Sequence, residues 1–324
     1  MRIITNIEEA ISTFRNSYNC ACIGNFDGVH KGHQELISRA VKDALENLGI
    51  SIVITFNNNT KILNGEKKFL TTFYEKSEII KAIGADYIYS IDFPDSISEL
   101  SPEAFVEKVL YGILRVKKLF VGENFRFGHN RVGDSNTLKK LGGDFSFDTE
   151  ILKLIKVNGM VVNSTIARTA VLEGRVDICS ELLGYPYFIR GIVGMGKMRG
   201  KNLVVPTANI YNIDEAKLIP KYGVYSTITI INGNEYFSLT NIGPQPTFQD
   251  EEASIESYIL NFQKDIYGKE ISTLFLRRLR DVKKFDTSTE LKEQIERDKN
   301  EAIRDYEKFT KNLLRNLNLL NWLK

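Results

Sequence analysis

The stretch CACIGNFDGVHKGHQELISRAVKDALENL, residues 20–48, decides the fold of the first half of the chain. Its first seven letters, CACIGNF at 20–26, form a short apolar run typical of a buried strand. Apolar residues then recur at helical spacing over 33–48, which predicts an amphipathic helix. A glycine-rich turn joins the two, and this order of elements is typical of a β-α-β unit.

The same alternation continues outward from this stretch. Strands are predicted at 50–56, 87–91 and 119–122, and helices at 73–83 and from Ser101-Pro102 onward. Repeated β-α-β units predict an α/β Rossmann-like domain with a doubly wound parallel sheet.

After about residue 184 the pattern changes to short β-rich runs separated by turns. IRGIVGM, GVYSTITII, NEYFSLTNIG, IESYILNF and ISTLFLRRLR predict an antiparallel barrel or sandwich, and a helix is predicted from Ser288 to the end. We place the domain boundary between Gly174 and Pro186, which gives domains 1–180 and 181–324.

Composition excludes several classes of protein. The 324 residues carry 43 Lys+Arg against 41 Asp+Glu, a formal net charge of +2, so we expect no nucleic-acid partner. Three Cys give no disulfide framework or zinc spacing, and we expect all three to be buried in a reducing cytoplasm. No run is apolar and long enough for a membrane span, so we expect no membrane partner. The sequence leaves the oligomeric state open.

The segment GNFDGVHKGH, residues 24–33, is the strongest chemical motif. His30 and His33 stand three apart at the start of a helix, where free N–H groups and the helix dipole favour anions. Gly24 and Gly28 let the backbone approach a ligand, so the turn suits a nucleotide triphosphate. The alternative is a turn that only caps a helix.

Two later segments favour a ligand-binding role for this turn over a bare helix cap. VGENFRFGHNRVGD, residues 121–134, follows a strand of the sheet and places Asn124 at its ligand-binding edge. NSTIARTAVLEGRVD, residues 163–177, puts Ser164 and Thr165 before a helix and Arg168 one turn in. The alternatives are a charged surface loop for the first and a bare helix cap for the second.

In the second half, KNLVVPTANI places Thr207 and Asn209 two residues apart in an extended run, so both face one side. A hydroxyl and an amide oxygen suit Mg²⁺ and phosphate. Glu256, in ASIESYILNF, is a candidate base, although such a carboxylate alone is more often an exposed strand residue.

Taken together, the chain resembles the bacterial bifunctional riboflavin kinase and FAD synthetase family from end to end. The resemblance rests on the segments above and on LLGYPY, PKYGVY, NIGPQPTF, DIYGK and LRDVKKF in order. It implies a nucleotidyltransferase domain followed by a riboflavin kinase barrel with a C-terminal helix. The barrel would phosphorylate riboflavin with ATP, giving FMN, and the first domain would adenylylate FMN with a second ATP, giving FAD and pyrophosphate.

The resemblance also implies roles for particular residues. Gly24, Phe26, Asp27 and Gly28 would form the nucleotide-binding turn, and His30 and His33 would hold the ATP phosphates as catalytic residues. Asn124 would orient a phosphate, and Ser164, Thr165 and Arg168 would hold the leaving pyrophosphate. Thr207 and Asn209 would bind Mg²⁺ with ATP, and Glu256 would assist removal of the hydroxyl proton.

Two departures from the family pattern bear on activity. Where the family has Phe-x-Pro-His-Pro, this chain has Phe56 followed by Asn57, Asn58, Asn59 and Thr60, and Val204 replaces a glycine of the kinase flap. Two alternatives therefore stay open: a riboflavin kinase with a weakened adenylyltransferase domain, and a flavin-binding regulator without catalysis.

Overall fold

The computed structural model describes residues 1–57, 68–92, 99–194, 207–244, 253–313 and 317–323. Contacts divide the chain into two compact units. The first consists of Met1–Lys67 and Phe73–Asn163, and the second of Lys68–Thr72 and Ser164–Lys324. Lys68–Thr72 therefore belongs with the second unit, although the chain on both sides of it belongs with the first.

The first unit is built on a six-stranded sheet in the order β1-β4-β3-β2-β5-β8, with every neighbouring pair parallel. In chain order its strands, with the short pair β6 and β7, are β1 Arg2–Ile4, β2 Asn19–Ile23, β3 Ile50–Asn57, β4 Tyr87–Asp92, β5 Val116–Gly122, β6 Arg126–Phe127, β7 Gly133–Asp134 and β8 Asp148–Leu152. From β2 the chain winds one way through β3 and β4, and from β5 the other way to β8. The expected doubly wound sheet is confirmed, and its topological switch point lies between β2 and β5.

The helices of this unit are Ile7–Phe14, Lys31–Glu46, Phe73–Ile83, Pro102–Phe105 with its π-helical continuation Val106–Ile113, and Ser135–Asp144. All five residues of β2 are buried, as a central parallel strand requires. This strand ends at Ile23 rather than at residue 26, because Phe26 and Gly28 take left-handed conformations with φ of 51° and 76°. The last element of the unit in chain order is a two-stranded antiparallel ribbon, formed by β9 Lys156–Val157 and β10 Met160–Val161.

The second unit contains a closed barrel in the order β11-β12-β15-β14-β13-β16. Its strands are β11 Tyr187–Gly194, β12 Ala208–Tyr211, β13 Gly223–Ile231, β14 Asn234–Pro244, β15 Ala253–Ile259 and β16 Glu270–Arg280. All neighbours are antiparallel, and pairing of β11 with β16 closes the ring. Of the two predicted architectures, the barrel is therefore the correct one.

Helices Ser164–Leu172 and Val176–Leu183 precede the barrel, and helix Ser288–Leu313 packs against β13, β14 and β16. Arg277 and Arg280 of β16 hold that last helix through ion pairs to Asp305 at 2.9 Å and Asp298 at 2.8 Å. The three Cys are free and buried, as expected. Among the described residues, no helix has the length and apolarity to cross a membrane.

Candidate active sites

The turn after β2 lies at the switch point of the first unit. The N–H of Gly24 still bonds to the Ile54 carbonyl at 3.1 Å, and then the chain leaves the sheet. Phe26, Asp27, Gly28 and Val29 are buried, and Val29 has φ of 33°. A β-branched residue is strained in that region, and such strain is concentrated at functional sites. The Gln34 side chain donates to the Val29 carbonyl at 2.7 Å and so helps hold the turn.

His30 and His33 come together at the start of helix Lys31–Glu46. Their rings stack with centroids 3.6 Å apart and planes 15° apart, and the Phe26 ring meets His33 edge-on at 5.0 Å. His30 is the N-cap residue, since its Nδ1 accepts from the backbone N–H of His33 at 3.3 Å. The structure thus gives both histidines the convergence above the helix N-terminus that their spacing predicts.

Burial makes this histidine pair neutral at pH 7. It lowers the pKa of His30 to about 4, and burial together with the neighbouring His30 and Lys76 lowers the pKa of His33 well below its ordinary value. Because His30 Nδ1 accepts, the proton of its neutral ring is on Nε2. His30 can therefore offer an N–H donor to a phosphate oxygen, but no fixed positive charge.

Asn124 lies in the turn that follows β5, at the same edge of the sheet as the turn after β2. It is exposed, and the turn is closed by a bond from the Phe125 N–H to the Gly122 carbonyl at 3.0 Å. A side chain in this position is open to a ligand at the switch point.

Ser164, Thr165 and Arg168 lie in the first turns of helix Ser164–Leu172, so the helix begins at Ser164 rather than after Thr165. Arg168 reaches the Thr165 hydroxyl at 3.5 Å. These three residues belong to the second unit, whereas His30 and His33 belong to the first. A shared site for all five stays a prediction.

In the barrel, Glu256 of β15 stands between two asparagines. Its Cα partners are Asn209 on β12 and Asn241 on β14, so the three side chains share one face. All three are half-buried, and the Ser254 hydroxyl donates to Glu256 Oε1 at 3.0 Å. Thr207 lies just before β12, two residues from Asn209. The structure therefore brings Asn209 and Glu256 together, as neighbours on adjacent strands.

Two polar neighbours of Glu256, Ser254 and Asn241, were not identified from the sequence. The position of Ser254 could have been predicted, because residues two apart in a strand share a face. Asn241 begins the segment NIGPQPTF, but only the pairing of β14 with β15 brings it opposite Glu256. The departures at Asn58, Asn59, Thr60 and Val204 lie outside the described residues, and Asn57 is the last residue of β3.

Models of two protein families match the chain. A FAD synthetase model matches residues 14–166, and a riboflavin kinase model matches residues 183–306. Among characterised relatives, the bifunctional riboflavin kinase/FMN adenylyltransferase of Bacillus subtilis is 34% identical over 297 residues, covering 89% of this chain and 93% of that protein. The protein of the same name from Listeria monocytogenes is 35% identical over 285 residues, covering 86% and 90%.

The chain belongs to the bifunctional riboflavin kinase/FMN adenylyltransferase family. It phosphorylates riboflavin to FMN with ATP and then transfers an adenylyl group from ATP to FMN, giving FAD. This confirms the family and the two activities that the motifs predict.

A solved structure also spans the chain. A crystal structure of a macrolide-efflux protein from Streptococcus pneumoniae is 29% identical and superposes with a TM-score of 0.81 over 96% of this chain and 98% of that one. The fold of this bifunctional riboflavin kinase/FMN adenylyltransferase is therefore similar to that of the Streptococcus pneumoniae protein over nearly the full length of both chains.

Proposed function

We propose that the first unit carries out adenylyl transfer at the turn after β2 and that the barrel phosphorylates riboflavin at the Asn209–Glu256 pair. Both reactions transfer phosphorus between bound substrates, so positioning and charge neutralisation supply most of the catalysis. Each assignment is supported by a cluster of polar groups at the place where its fold presents ligands.

In the adenylyl step, the phosphate of FMN attacks the α-phosphorus of ATP. A bond forms between the FMN oxygen and that phosphorus, and the bond to pyrophosphate breaks. Gly24, Phe26, Asp27 and Gly28 form the turn against which the triphosphate lies. His30 and His33 donate hydrogen bonds to the α-phosphate as its charge shifts toward the leaving group.

The remaining residues assigned to adenylyl transfer bind phosphate groups. Asn124, exposed beside the turn, orients the FMN phosphate or the nucleotide. Ser164, Thr165 and Arg168 hold the departing pyrophosphate, since a helix N-terminus with two hydroxyls and a guanidinium is a strong anion site. The contact between Arg168 and Thr165 supports a shared role for the two.

In the kinase step, the ribityl 5′-hydroxyl of riboflavin attacks the γ-phosphorus of ATP, and ADP leaves. Glu256 accepts the hydroxyl proton as the oxygen bonds to phosphorus, because a free alcohol is too weak an acid to ionise first. The bond from Ser254 fixes Oε1, which leaves Oε2 to receive that proton.

Thr207 and Asn209 fit a role in holding Mg²⁺. They offer a hydroxyl and an amide oxygen, the hard donors this ion prefers. Oxygens of the ATP phosphates would complete the coordination, because Mg²⁺ is usually bound by a few protein oxygens together with substrate phosphates. When bound, Mg²⁺ neutralises charge on the transferring phosphate.

Small phosphate compounds rather than nucleic acid are the partners that this nearly neutral chain suits. We place the protein in the cytoplasm, where ATP is available and where three free cysteines stay reduced. Drug efflux, the name carried by the Streptococcus pneumoniae relative, is not the function we propose, because flavin-enzyme families account for both parts of the chain.

The observation that carries the kinase assignment is the pairing of Glu256 with Asn209 on neighbouring strands. The adenylyl assignment rests on the stacked His30 and His33 rings at the switch point. The test of the proposal is a time course with riboflavin, ATP and Mg²⁺, followed by chromatographic separation of the flavins. FMN should rise first and FAD should follow from it. FMN that accumulates without FAD, or flavin binding without either product, would contradict the proposal.

A further inference from the structure

Lys76, in helix Phe73–Ile83, is a buried cation that no sequence motif singled out. Its side chain is 4% exposed, although lysine is almost never buried without a partner. Its Nζ donates to the Asn25 carbonyl at 3.1 Å and to the Thr55 hydroxyl at 3.0 Å. Both acceptors lie at the carboxyl ends of β2 and β3, beside the nucleotide-binding turn.

The carbonyl of Asn25 sets the direction of the turn. It receives Lys76 Nζ and also the Thr55 hydroxyl, at 3.3 Å, and so points into the protein. The following peptide bond is trans, which directs the N–H of Phe26 the opposite way, away from Lys76. Helix Phe73–Ile83 packs directly on residues Asp27–Val29 as well. Lys76 therefore fixes the orientation of the backbone that begins the turn.

Lys76 also supplies the charge that the histidine pair lacks. Among the described residues of the first unit, Lys76 is the only lysine or arginine that is buried. The imidazoles of His30 and His33, by contrast, are neutral at pH 7. Burial lowers the pKa of Lys76 to about 8, and Asp27 opposes that shift, so the ammonium is mostly protonated at pH 7. A phosphate at the turn would favour the charged form further.

We propose that Lys76 is a positioning residue for adenylyl transfer, which holds the turn at residues 24–28 through the Asn25 carbonyl and places a buried positive charge behind the ATP phosphates. This inference rests on the proposed location of the adenylyl site at that turn. In this account, Lys76 of the neighbouring helix supplies the positive charge at the turn, and His30 and His33 supply the hydrogen-bond donors.

The test uses the full chain with Lys76→Met, which keeps much of the side-chain volume and removes the charge. FAD formation from supplied FMN should fall about 100-fold in kcat/KM, the loss typical of one preorganised electrostatic group. Riboflavin phosphorylation in the same preparation should not change. Lys81→Met is the matched control, because Lys81 lies on the same helix with an exposed side chain that pairs with Glu78.

A pH profile separates this role from a structural one. Among the described residues, the titratable groups that interact electrostatically with Lys76 are Asp27 on the turn and His33 on helix Lys31–Glu46, and the pKa of His33 lies far below neutrality. In the wild type, kcat/KM for FAD formation should therefore fall as pH rises through about 8. The residual activity of Lys76→Met should lack this fall. A folded Lys76→Met variant within about threefold of wild type would overturn the inference.

If Lys76→Met does not fold, the variant Thr55→Val tests the inference instead. Valine removes one hydrogen-bond acceptor of the Lys76 ammonium, which lowers the pKa of Lys76. The fall in kcat/KM for FAD formation should therefore occur at lower pH than in the wild type. An unmoved profile would overturn the inference. The variant His30→Asn separates failure of this inference from failure of the proposed function. Full FAD formation by His30→Asn would refute the proposed adenylyl site. Loss of FAD formation in His30→Asn, with normal FAD formation in Lys76→Met, would refute only the role of Lys76.

Discussion

The hydroxyl of Ser254 donates a hydrogen bond to Oε1 of Glu256 at 3.0 Å, two residues along the same face of β15. This contact orients one carboxylate oxygen and leaves the other for the substrate. Ser254→Ala should lower kcat for riboflavin phosphorylation by about tenfold while KM for riboflavin stays within about twofold. Steady-state kinetics on riboflavin measures both. An unchanged kcat would show that Glu256 does not depend on this bond.

Replacement of Glu256 itself should have a larger effect. Glu256→Gln removes the proton acceptor but keeps the shape, so the kinase rate should fall about 100-fold or more while riboflavin still binds. Fluorescence titration of riboflavin measures binding, and initial FMN formation measures the rate. The matched control is Glu270→Gln, because Glu270 is an exposed carboxylate that pairs with Arg190 at 2.7 Å. Loss of binding in parallel with the rate would contradict a role in proton transfer.

His30 should make the stability of the protein depend on acidity. Its pKa of about 4 in the folded chain lies below the value of 6.5 for an unfolded histidine, so the unfolded state binds the proton more tightly between these values. The full contribution is present above pH 6.5 and is lost as pH falls toward 4, about 3 kcal/mol in all.

The measurement is urea unfolding of wild type and of His30→Asn from pH 4 to 7. Asparagine keeps an N-cap acceptor but does not titrate. The variant should lose stability less steeply than wild type as pH falls. Identical slopes would show that His30 is not buried as a neutral ring.

The asparagines after Phe56 offer a test of the departure from the family pattern. Asn58→Pro, Asn59→His and Thr60→Pro together restore Phe-x-Pro-His-Pro. If their absence weakens adenylyl transfer, the triple variant should form FAD faster from supplied FMN, with the kinase rate unchanged. A slower or equal rate of FAD formation would show that this chain works without the motif.

Much of the architecture could be predicted from local patterns. The helix Phe73–Ile83 has the predicted bounds, because its apolar spacing and flanking breaks are both local signals. The strand predicted at residues 20–26 ends three residues earlier, at Ile23, since the left-handed conformation of Phe26 cannot be seen in an apolar stretch of sequence. Closure of the barrel could not be predicted, because it depends on pairing β11 with β16 across most of the second unit.

The candidate sites divide in the same way. His30 and His33 could be found because they are close in sequence and sit at a helix start. Lys76 could not, since one lysine in an amphipathic helix gives no sign of burial until the helix is packed on the turn. Asn241 is likewise brought to Glu256 only by strand register.

The central claim is that the two steps use separate groups, His30 for adenylyl transfer and Glu256 for phosphorylation. Its most direct test compares His30→Asn and Glu256→Gln with riboflavin and with FMN as the starting flavin, quantifying FMN and FAD by chromatography. His30→Asn should make FMN from riboflavin and little FAD from either flavin, whereas Glu256→Gln should make FAD from FMN and almost nothing from riboflavin. If either variant lost both activities while folded, or if either kept both, the assignment of steps to these residues would be wrong.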